Sequence, residues 1–314
     1  MKCLIVGCGY VGLPLGAELI RQGHEVFGLR RSASAESELK TAGIKPLIAD
    51  ITQSETLAKL PREFEWVVNC VSSTGGGVDD YRQVYLQGMC NLIEWLATSP
   101  PKKFVYTGST SVYGQTDGSQ VKETSPTEPA AETARILLET EKLLLAAYTG
   151  SGMGVSPVRI EAHGRAARAT TFPAVILRVA GIYGPDRGHG FKQFLKNEAR
   201  IEGDGSRFLN MIHRDDLIGC IIAALKNGRP GEIYNVVDDE PVSQGNFFRW
   251  LAATVGKYPP PSVPENVDEN RKRGVTNKRV LNRRLKMELG YQFKYPNFRK
   301  GYTAEILRLD EVRK

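Results

Sequence analysis

The amino-acid sequence predicts an α/β protein, a doubly wound parallel sheet with helices on both faces followed by a smaller C-terminal lobe. Two observations carry this expectation. Short apolar runs rich in β-branched residues alternate with longer amphipathic stretches through the first half of the chain, which is the rhythm of βαβ units. In addition, 41% of the 314 residues are apolar and only 17 are proline. That composition supports a sizeable core and excludes a disordered, collagen-like or disulfide-stapled chain. The length fits one large domain or two modest ones, since domains run to roughly 100–200 residues.

The elements follow in order. CLIVG is the first strand, followed by a helical pattern over 11–22. EVFGL is the second strand, followed by a polar helix over 33–42. KPLIAD and WVVNCV are the third and fourth strands, then a helix over 79–97, the strand KFVYTGS, a helix over 132–148 and the strand AVILRV. Asp215 and Asp216 supply carboxylates to the N-terminus of a helix in LIGCIIAALKNG, Gly228 ends it, and EIYNVV is one more strand. There is no internal repeat. Residues 149–172 separate a helix from its strand by two dozen positions, where such a connection normally needs roughly 2–6. They predict a surface flap, with Arg159, His163, Arg165 and Arg168 forming a basic lid or merely a solubilising loop. From 186 onward no clean period persists, and KYPPPSVPEN over 257–266 is a proline-rich crossing.

After the first strand comes Gly7-Cys8-Gly9-Tyr10-Val11-Gly12, a G-x-G-x-x-G opening a helix. Glycines there permit a tight turn, close backbone approach to a pyrophosphate and helix-on-strand packing, with the anion at the helix N-terminus. Its place at the first strand-to-helix junction predicts a Rossmann-type dinucleotide site including Tyr10 and Val11; coincidental turn glycines are the alternative. A ribose 2′-hydroxyl would call for an acidic residue about 20 positions on. This chain has Arg30-Arg31-Ser32 instead, and guanidinium groups match a phosphate in bidentate geometry, which favours NADP(H) over NAD(H). A pair of solvated arginines is the competing reading. Asp50 and Ile51 close the third strand as a polar and apolar pair for the adenine edge and face, or as an ordinary strand end. The predicted division is a nucleotide-binding domain over 1–185, with 211–238 contributing a helix and strand, and a substrate lobe over 186–314.

A net charge of +7 and a pI near 9.1 permit nucleic acid, an anionic membrane or an anionic small molecule as partner. The surplus has one address: RKRGVTNKRVLNRRLK, residues 271–286, holds eight basic side chains and no acidic one. No aromatic interleaves it, as a single-strand platform requires, and Val280, Leu281 and Leu285 give it an apolar face. The expectation is a lobe helix aiming arginines at a diphosphate, or a plain solvated helix, with neither nucleic acid nor membrane as partner. Five scattered cysteines without C-x-x-C spacing point to a reducing compartment, and the four histidines show no metal-ligand spacing. The apolar stretch before Cys8 is too short for a signal peptide and no window reaches the length of a membrane span, so the expected location is cytoplasmic.

Beyond the glycine motif and Asp50-Ile51, the chain carries FVYTGSTSVYG at 104–114, LRVAGIYGP at 177–185, IHRDDL at 212–217 and YNVVDDEPVS at 234–243. In that order these resemble the extended-type short-chain dehydrogenases/reductases, the superfamily of nucleoside-diphosphate-sugar epimerases, dehydratases and reductases. The resemblance implies that Ser109 binds the reacting oxygen, that the substrate is a nucleotide sugar or another anionic small molecule, and that two copies pair through the helices at 79–97 and 132–148. It also exposes departures. Thr110 and Ser111 stand where dehydratases carry an Asp-Glu pair, which argues against sugar dehydration. Thr133 and Leu137 fall where active members place Tyr-x-x-x-Lys, and neither supplies that acid/base chemistry.

Where the family carries Asn in N-x-x-G, this chain has Tyr85-Leu86-Gln87-Gly88. Tyr85 would face the cofactor there and is a candidate proton donor beside Tyr113, Tyr183 and His189, although a tyrosine on an amphipathic helix is more often core. His213 reads as structural. Lys192, Arg200, Arg207 and Asn210 lie where the family closes over its substrate. The expectation is an NADP(H)-dependent reductase or epimerase whose general acid is unassigned. The alternative is a non-catalytic NADP(H) sensor. A UDP-sugar 6-dehydrogenase, suggested by GCGYVGLPL, needs a catalytic cysteine that none of the five provides.

Overall fold

The computed structural model describes residues 1–73, 76–148, 172–264 and 275–312. In chain order the main elements are β1 (Lys2–Val6), α1 (Gly12–Arg21), β2 (Glu25–Arg30), α2 (Glu36–Thr41), β3 (Lys45–Ile48), α3 (Ser54–Leu57), β4 (Trp66–Asn69), α4 (Val78–Tyr81), α5 (Gly88–Leu96), β5 (Lys103–Ser109), α6 (Glu132–Ala147), β6 (Ala174–Val179), α7 (His189–Leu195), α8 (Arg214–Asn227), β7 (Ile233–Val236), α9 (Gln244–Val255) and α10 (Phe298–Val312). The seven strands form one sheet in the order β3-β2-β1-β4-β5-β6-β7. The pairs β1–β2, β2–β3, β1–β4 and β4–β5 are all parallel. The strand order reverses between β1 and β4, and in open α/β sheets ligands settle at the carboxyl ends of the strands at such a reversal.

The continuous apolar runs read as fully buried strands: four of the five residues of β1 and all of β6 are buried. Packing along α1 follows its stripe Gly12, Leu15, Gly16 and Leu19, the spacing of one helical face. The helix expected over 79–97 spans Val78–Leu96, with a π-turn at Arg82–Gln87 between α4 and α5. Such wide turns cluster at functional sites, and Tyr85 lies inside this one. At its end Gly88 lets the helix close on Ile51, just beyond β3, because a Cβ there would sit 2.7 Å from Ile51 Cδ1.

By compactness the chain divides into Met1–Ser109 with Ala131–Arg178 and Ile221–Ile233, and Thr110–Ala130 with Val179–Cys220 and Tyr234–Lys314. The first unit is built on aliphatic and aromatic residues of the sheet and its helices, among them Leu4, Val67, Leu92, Phe104 and Ile176. The second is strongly aromatic: Tyr183, Phe191, Phe247, Phe298 and Tyr302 share one cluster.

Residues 149–171 of the expected flap, including all four of its basic residues named above, lie outside the described residues. The basic segment 271–286 is not the expected helix. Residues 271–274 are likewise outside the description. Arg279–Val280 is instead a short strand pairing in parallel with Gln120–Val121, and helical structure begins only just before the π-turn Leu285–Leu289. The apolar residues explain the difference: Val280 is buried against its partner strand and Leu285 is buried in the π-turn, and no single helical face serves both.

Candidate functional site

The turn after β1 is built from backbone. Gly7 adopts a left-handed φ of +80°, and a Cβ there would sit 2.7 Å from the Val71 amide nitrogen just beyond β4. Only glycine fits both conditions. The Gly7 and Cys8 amides donate to Leu29 O at 3.1 and 3.3 Å, and Gly9 N donates to Gly7 O at 2.8 Å, which folds the chain sharply back over the end of β2. Gly12 packs the helix onto this turn, since a Cβ there would lie 2.8 Å from Gly7 O. Gly9 differs: the nearest atom to its missing Cβ is Arg30 Nη1 at 3.8 Å. No side chain caps α1, whose N-cap is Val11, so its N-terminal N–H groups and the positive end of its dipole face an approach that Gly9 leaves open. Cys8 contributes no thiolate, because burial pushes its thiol up to about 12. A dinucleotide pyrophosphate fits this cradle.

The end of β2 lies over the same turn. Arg30 Nη1 donates to Cys8 O at 2.7 Å and lies 3.6 Å from Glu38 Oε2. Among the described residues, Nε and Nη2 of Arg30 form no hydrogen bond, so two parallel donors of the guanidinium are open. Arg31 is exposed, and Ser32 caps the short turn Ala33–Ala35 by accepting from Ser34 N at 3.3 Å. Asp50 and Ile51 are held more tightly: Asp50 Oδ1 accepts from the Thr52 amide and hydroxyl at 2.9 and 2.8 Å, and Ile51 is buried beneath Gly88. Tyr10 is half-buried on the helix start.

Tyr85 is buried, and its phenol oxygen accepts from the Ser73 amide at 3.1 Å. That amide belongs to the segment following β4, whose Ser73 hydroxyl also bonds Asp80. The Tyr85 hydroxyl thus faces the carboxyl end of the sheet and pins the chain there. Ser109 ends β5 as a buried residue. Next to it, a Cβ on Gly108 would lie 3.3 Å from Glu141 Oε1, and Glu141 forms a buried ion pair with Arg178 at 2.7 Å. Burial pushes the Glu141 carboxyl up while the guanidinium pulls against it. Thr133 and Leu137 lie on the buried face of α6.

In the second unit a set of buried and half-buried polar groups is engaged with one another. Tyr113 donates to Asn235 Oδ1 at 2.8 Å, and Asn235 Nδ2 donates to Leu281 O at 3.0 Å. Asn210 clamps the strand Arg279–Val280, donating to Lys278 O and accepting from Val280 N at 2.9 and 2.8 Å. Asn282 donates to Val237 O and Asp239 Oδ1. Lys278 is buried, its ammonium bonded to Tyr113 O at 2.7 Å and Thr276 Oγ1 at 2.9 Å, with no carboxylate within 4 Å among the described residues. Desolvation lowers it to about 8. No local motif marks Lys278, whose main partner is 165 positions away.

Other expected contributors are engaged as well. Arg279 donates to Gly118 O and lies over the Phe208 ring, Arg284 pairs with Glu288 and Lys286 with Asp239. Of the basic residues described in this segment, only Arg283 is both exposed and without such a contact among the described residues. Tyr183 is stacked on Tyr302 at 4.3 Å and its phenol is pushed up by burial, while His189 is exposed at the start of α7. His213 accepts from Asp215 N through Nδ1 and meets Glu305 through Nε2 at 3.3 Å, a structural arrangement. Asp215 and Asp216 lie in the first turn of α8; Asp216 is fully buried and also accepts from the Tyr291 hydroxyl and the amides of Lys294 and Tyr295. Among the described residues no group of three or more His, Cys, Asp or Glu is placed to hold a metal, and no helix is long and apolar enough to cross a membrane.

Known proteins resemble this chain in sequence and fold. The model of the NAD dependent epimerase/dehydratase family matches residues 3–236. Protein YeeZ of Escherichia coli is 27% identical over 301 residues, 94% of this chain and 97% of its own length. A solved structure from Methylobacillus flagellatus, itself placed only provisionally among NAD-dependent epimerases/dehydratases, is 30% identical, covers 98% of each chain and superposes with a TM-score of 0.73. A dTDP-glucose 4,6-dehydratase of Streptomyces venezuelae, solved with NAD and TYD bound, is 19% identical over 100% of this chain and 98% of its own, with a TM-score of 0.79; at that identity it shares the fold.

Proposed function

The chain belongs to the NAD dependent epimerase/dehydratase family, and on that premise we propose that it binds NADP(H) and acts as a reductase or epimerase on a nucleotide sugar or another phosphorylated carbonyl or hydroxyl compound. One observation carries the cofactor reading: the guanidinium of Arg30 is anchored by Nη1 to Cys8 O beside the open Gly9 turn, with Nε and Nη2 uncommitted among the described residues. Two parallel donors suit the oxygens of a 2′-phosphate, and exposed Arg31 adds charge. Gly7, Gly9 and Gly12 would hold the pyrophosphate at the N-terminus of α1, with Tyr10 and Val11 at the helix start, Ser32 beside the phosphate and Asp50 and Ile51 toward the adenine. When bound, the dinucleotide supplies a hydride donor or acceptor. Ser109 would hold the reacting oxygen by its hydroxyl.

Tyr85 acts in this reading as a pin for the segment at Ser73 rather than as the acid, because its oxygen already accepts a backbone hydrogen bond. The proton donor is not on α6 at the positions of Thr133 and Leu137. Their burial favours a second reading, a protein that binds NADP(H) as a sensor without turning a substrate over.

Titration of the wild type and Arg30→Met with NADPH and NADH tests the proposal. NADPH is expected to bind about tenfold or more tighter than NADH, and Arg30→Met to abolish that ratio, since a hydrogen bond to a charged group contributes about 1.5–3 kcal/mol. Equal wild-type affinities would sink the NADP(H) assignment. Turnover on a panel of nucleotide sugars and small carbonyls supports the enzyme; tight NADPH binding with no turnover supports the sensor.

A further inference from the structure

Arg30 has a second neighbour that the cofactor reading does not use. Glu38, on α2, places Oε2 3.6 Å from Arg30 Nη1, and this guanidinium is the only ionic or hydrogen-bonding partner of its carboxylate among the described residues. The adjacent charges are matched elsewhere: Glu36 pairs with Lys40 and Glu25 with Lys45. Arg31 forms no ion pair or hydrogen bond among the described residues. Glu38 is therefore an exposed carboxylate whose charge is balanced by one group alone, the group assigned to the 2′-phosphate.

We propose that Glu38 is a specificity-determining residue that restrains binding of 2′-phosphorylated dinucleotides, so that the chain holds NADPH less tightly than its arginines alone would allow. The inference rests on the reading that Arg30 receives the 2′-phosphate. A phosphate arriving at Nε and Nη2 shares the guanidinium with a carboxylate of like charge, and either the two anions remain close or the Glu38 side chain turns away into solvent. NADH presents a neutral 2′-hydroxyl at the same place and meets no such opposition.

The opposite sign would follow if Glu38 held Arg30 in its productive orientation. Two observations weigh against that. The guanidinium is already anchored at 2.7 Å to a backbone carbonyl, and the Glu38 contact is longer and half-exposed, a class of ion pair that fixes little. Repulsion remains: a carboxylate and a phosphate of nearly double charge, about 6 Å apart in a water-like medium, oppose one another by roughly tenfold in affinity, less once salt screens them.

Glu38→Gln, compared with the wild type and Arg30→Met by titration with NADPH and NADH, tests this. Glu38→Gln is expected to tighten NADPH about three- to tenfold at low ionic strength and NADH less than twofold, with the gain shrinking in high salt. A Glu38→Gln variant that binds NADPH as the wild type does, or more weakly, overturns the proposal. The two readings fail separately: if Arg30→Met collapses the NADPH/NADH ratio while Glu38→Gln leaves it unchanged, Arg30 keeps its role and Glu38 loses its own. If Arg30→Met leaves the ratio unchanged, both fall. A circular dichroism melt of Glu38→Gln matching the wild type confirms that a half-exposed side chain has been changed without disturbing the fold.

Discussion

The turn after β1 and the stretch that ties Tyr113 to Lys278 are both dense in polar atoms, and they use those atoms in opposite ways. At the turn, the chain bonds to itself only enough to hold its shape, and leaves a helix N-terminus, the space over Gly9 and two donors of Arg30 open. In the second unit, Asn210, Asn235, Asn282 and Lys278 have their donors directed at backbone carbonyls and neighbouring side chains. Openness of satisfied backbone beside unsatisfied side-chain donors marks a place for a ligand. Closed networks of buried amides fix the chain's path instead, since an unmet partner there is costly. The contrast makes distinct predictions: substitutions in the closed network should change stability and leave cofactor binding alone, and those at the turn should do the reverse.

The largest effect is expected at Asn235. Its replacement by alanine removes the acceptor for the buried Tyr113 hydroxyl and the donor to Leu281 O together. Losing these two buried hydrogen bonds costs about 3 kcal/mol in all. Denaturant unfolding should show that loss for Asn235→Ala, with NADPH affinity within twofold of wild type. A large loss of affinity in a still-folded variant would break the contrast.

Lys278 gives a smaller effect with a pH signature. Its ammonium is lowered from 10.5 to about 8 by desolvation, so between those values the unfolded chain binds more protons than the folded one. The contribution of this group to stability therefore rises with pH through that window, being most unfavourable below about pH 8. The buried thiols Cys3, Cys8 and Cys70, raised to about 12, act in the opposite sense once their unfolded counterparts ionise, so the wild type alone is uninformative. The stability difference between Lys278→Met and wild type isolates the amine. It should move in favour of the wild type by about 2 kcal/mol from about pH 7.5 to about pH 9.5. A flat difference would mean that the ammonium is solvated and the network less closed than its geometry.

This contrast also explains what was legible in the sequence. Gly7, Gly9 and Gly12 act through the backbone within one turn, so their spacing after the first strand predicted that turn, and the end of β2 places Arg30 beside it. The continuous apolar strands likewise predicted the parallel sheet. Lys278 and Asn235 act through partners 165 and 122 positions away, and nothing local distinguishes them from any lysine or asparagine in a polar stretch. The basic segment misled for a related reason. The charge pattern suggested a helix aimed at a diphosphate, whereas Val280 is drawn into a strand against Val121 and Lys278, Arg279, Arg284 and Lys286 turn to carbonyls, carboxylates and an aromatic ring of the same unit. Asp216 shows both sides: it lies in the first turn of α8 as its place before a helical run predicts, yet its partners at Tyr291, Lys294 and Tyr295 arrive from 75 or more positions later and no local pattern announces them.

Gly9→Ala probes the open side with the smallest expected energy and the cleanest separation. Its missing Cβ points into space whose nearest atom is Arg30 Nη1 at 3.8 Å, ordinary van der Waals contact, and Gly9 does not have the left-handed φ of Gly7. A methyl group there should leave the unfolding free energy within about 0.5 kcal/mol of wild type. The same methyl occupies the approach of a pyrophosphate to the backbone of the turn. NADPH and NADH should both bind about tenfold more weakly, a loss of about 1.4 kcal/mol, and their ratio should stay constant because Arg30 is not displaced. Gly7→Ala at the adjacent corner should instead unfold the turn, since its Cβ collides with Val71. If Gly9→Ala bound both dinucleotides normally, the glycines would serve the fold alone and the pyrophosphate would have to be placed elsewhere.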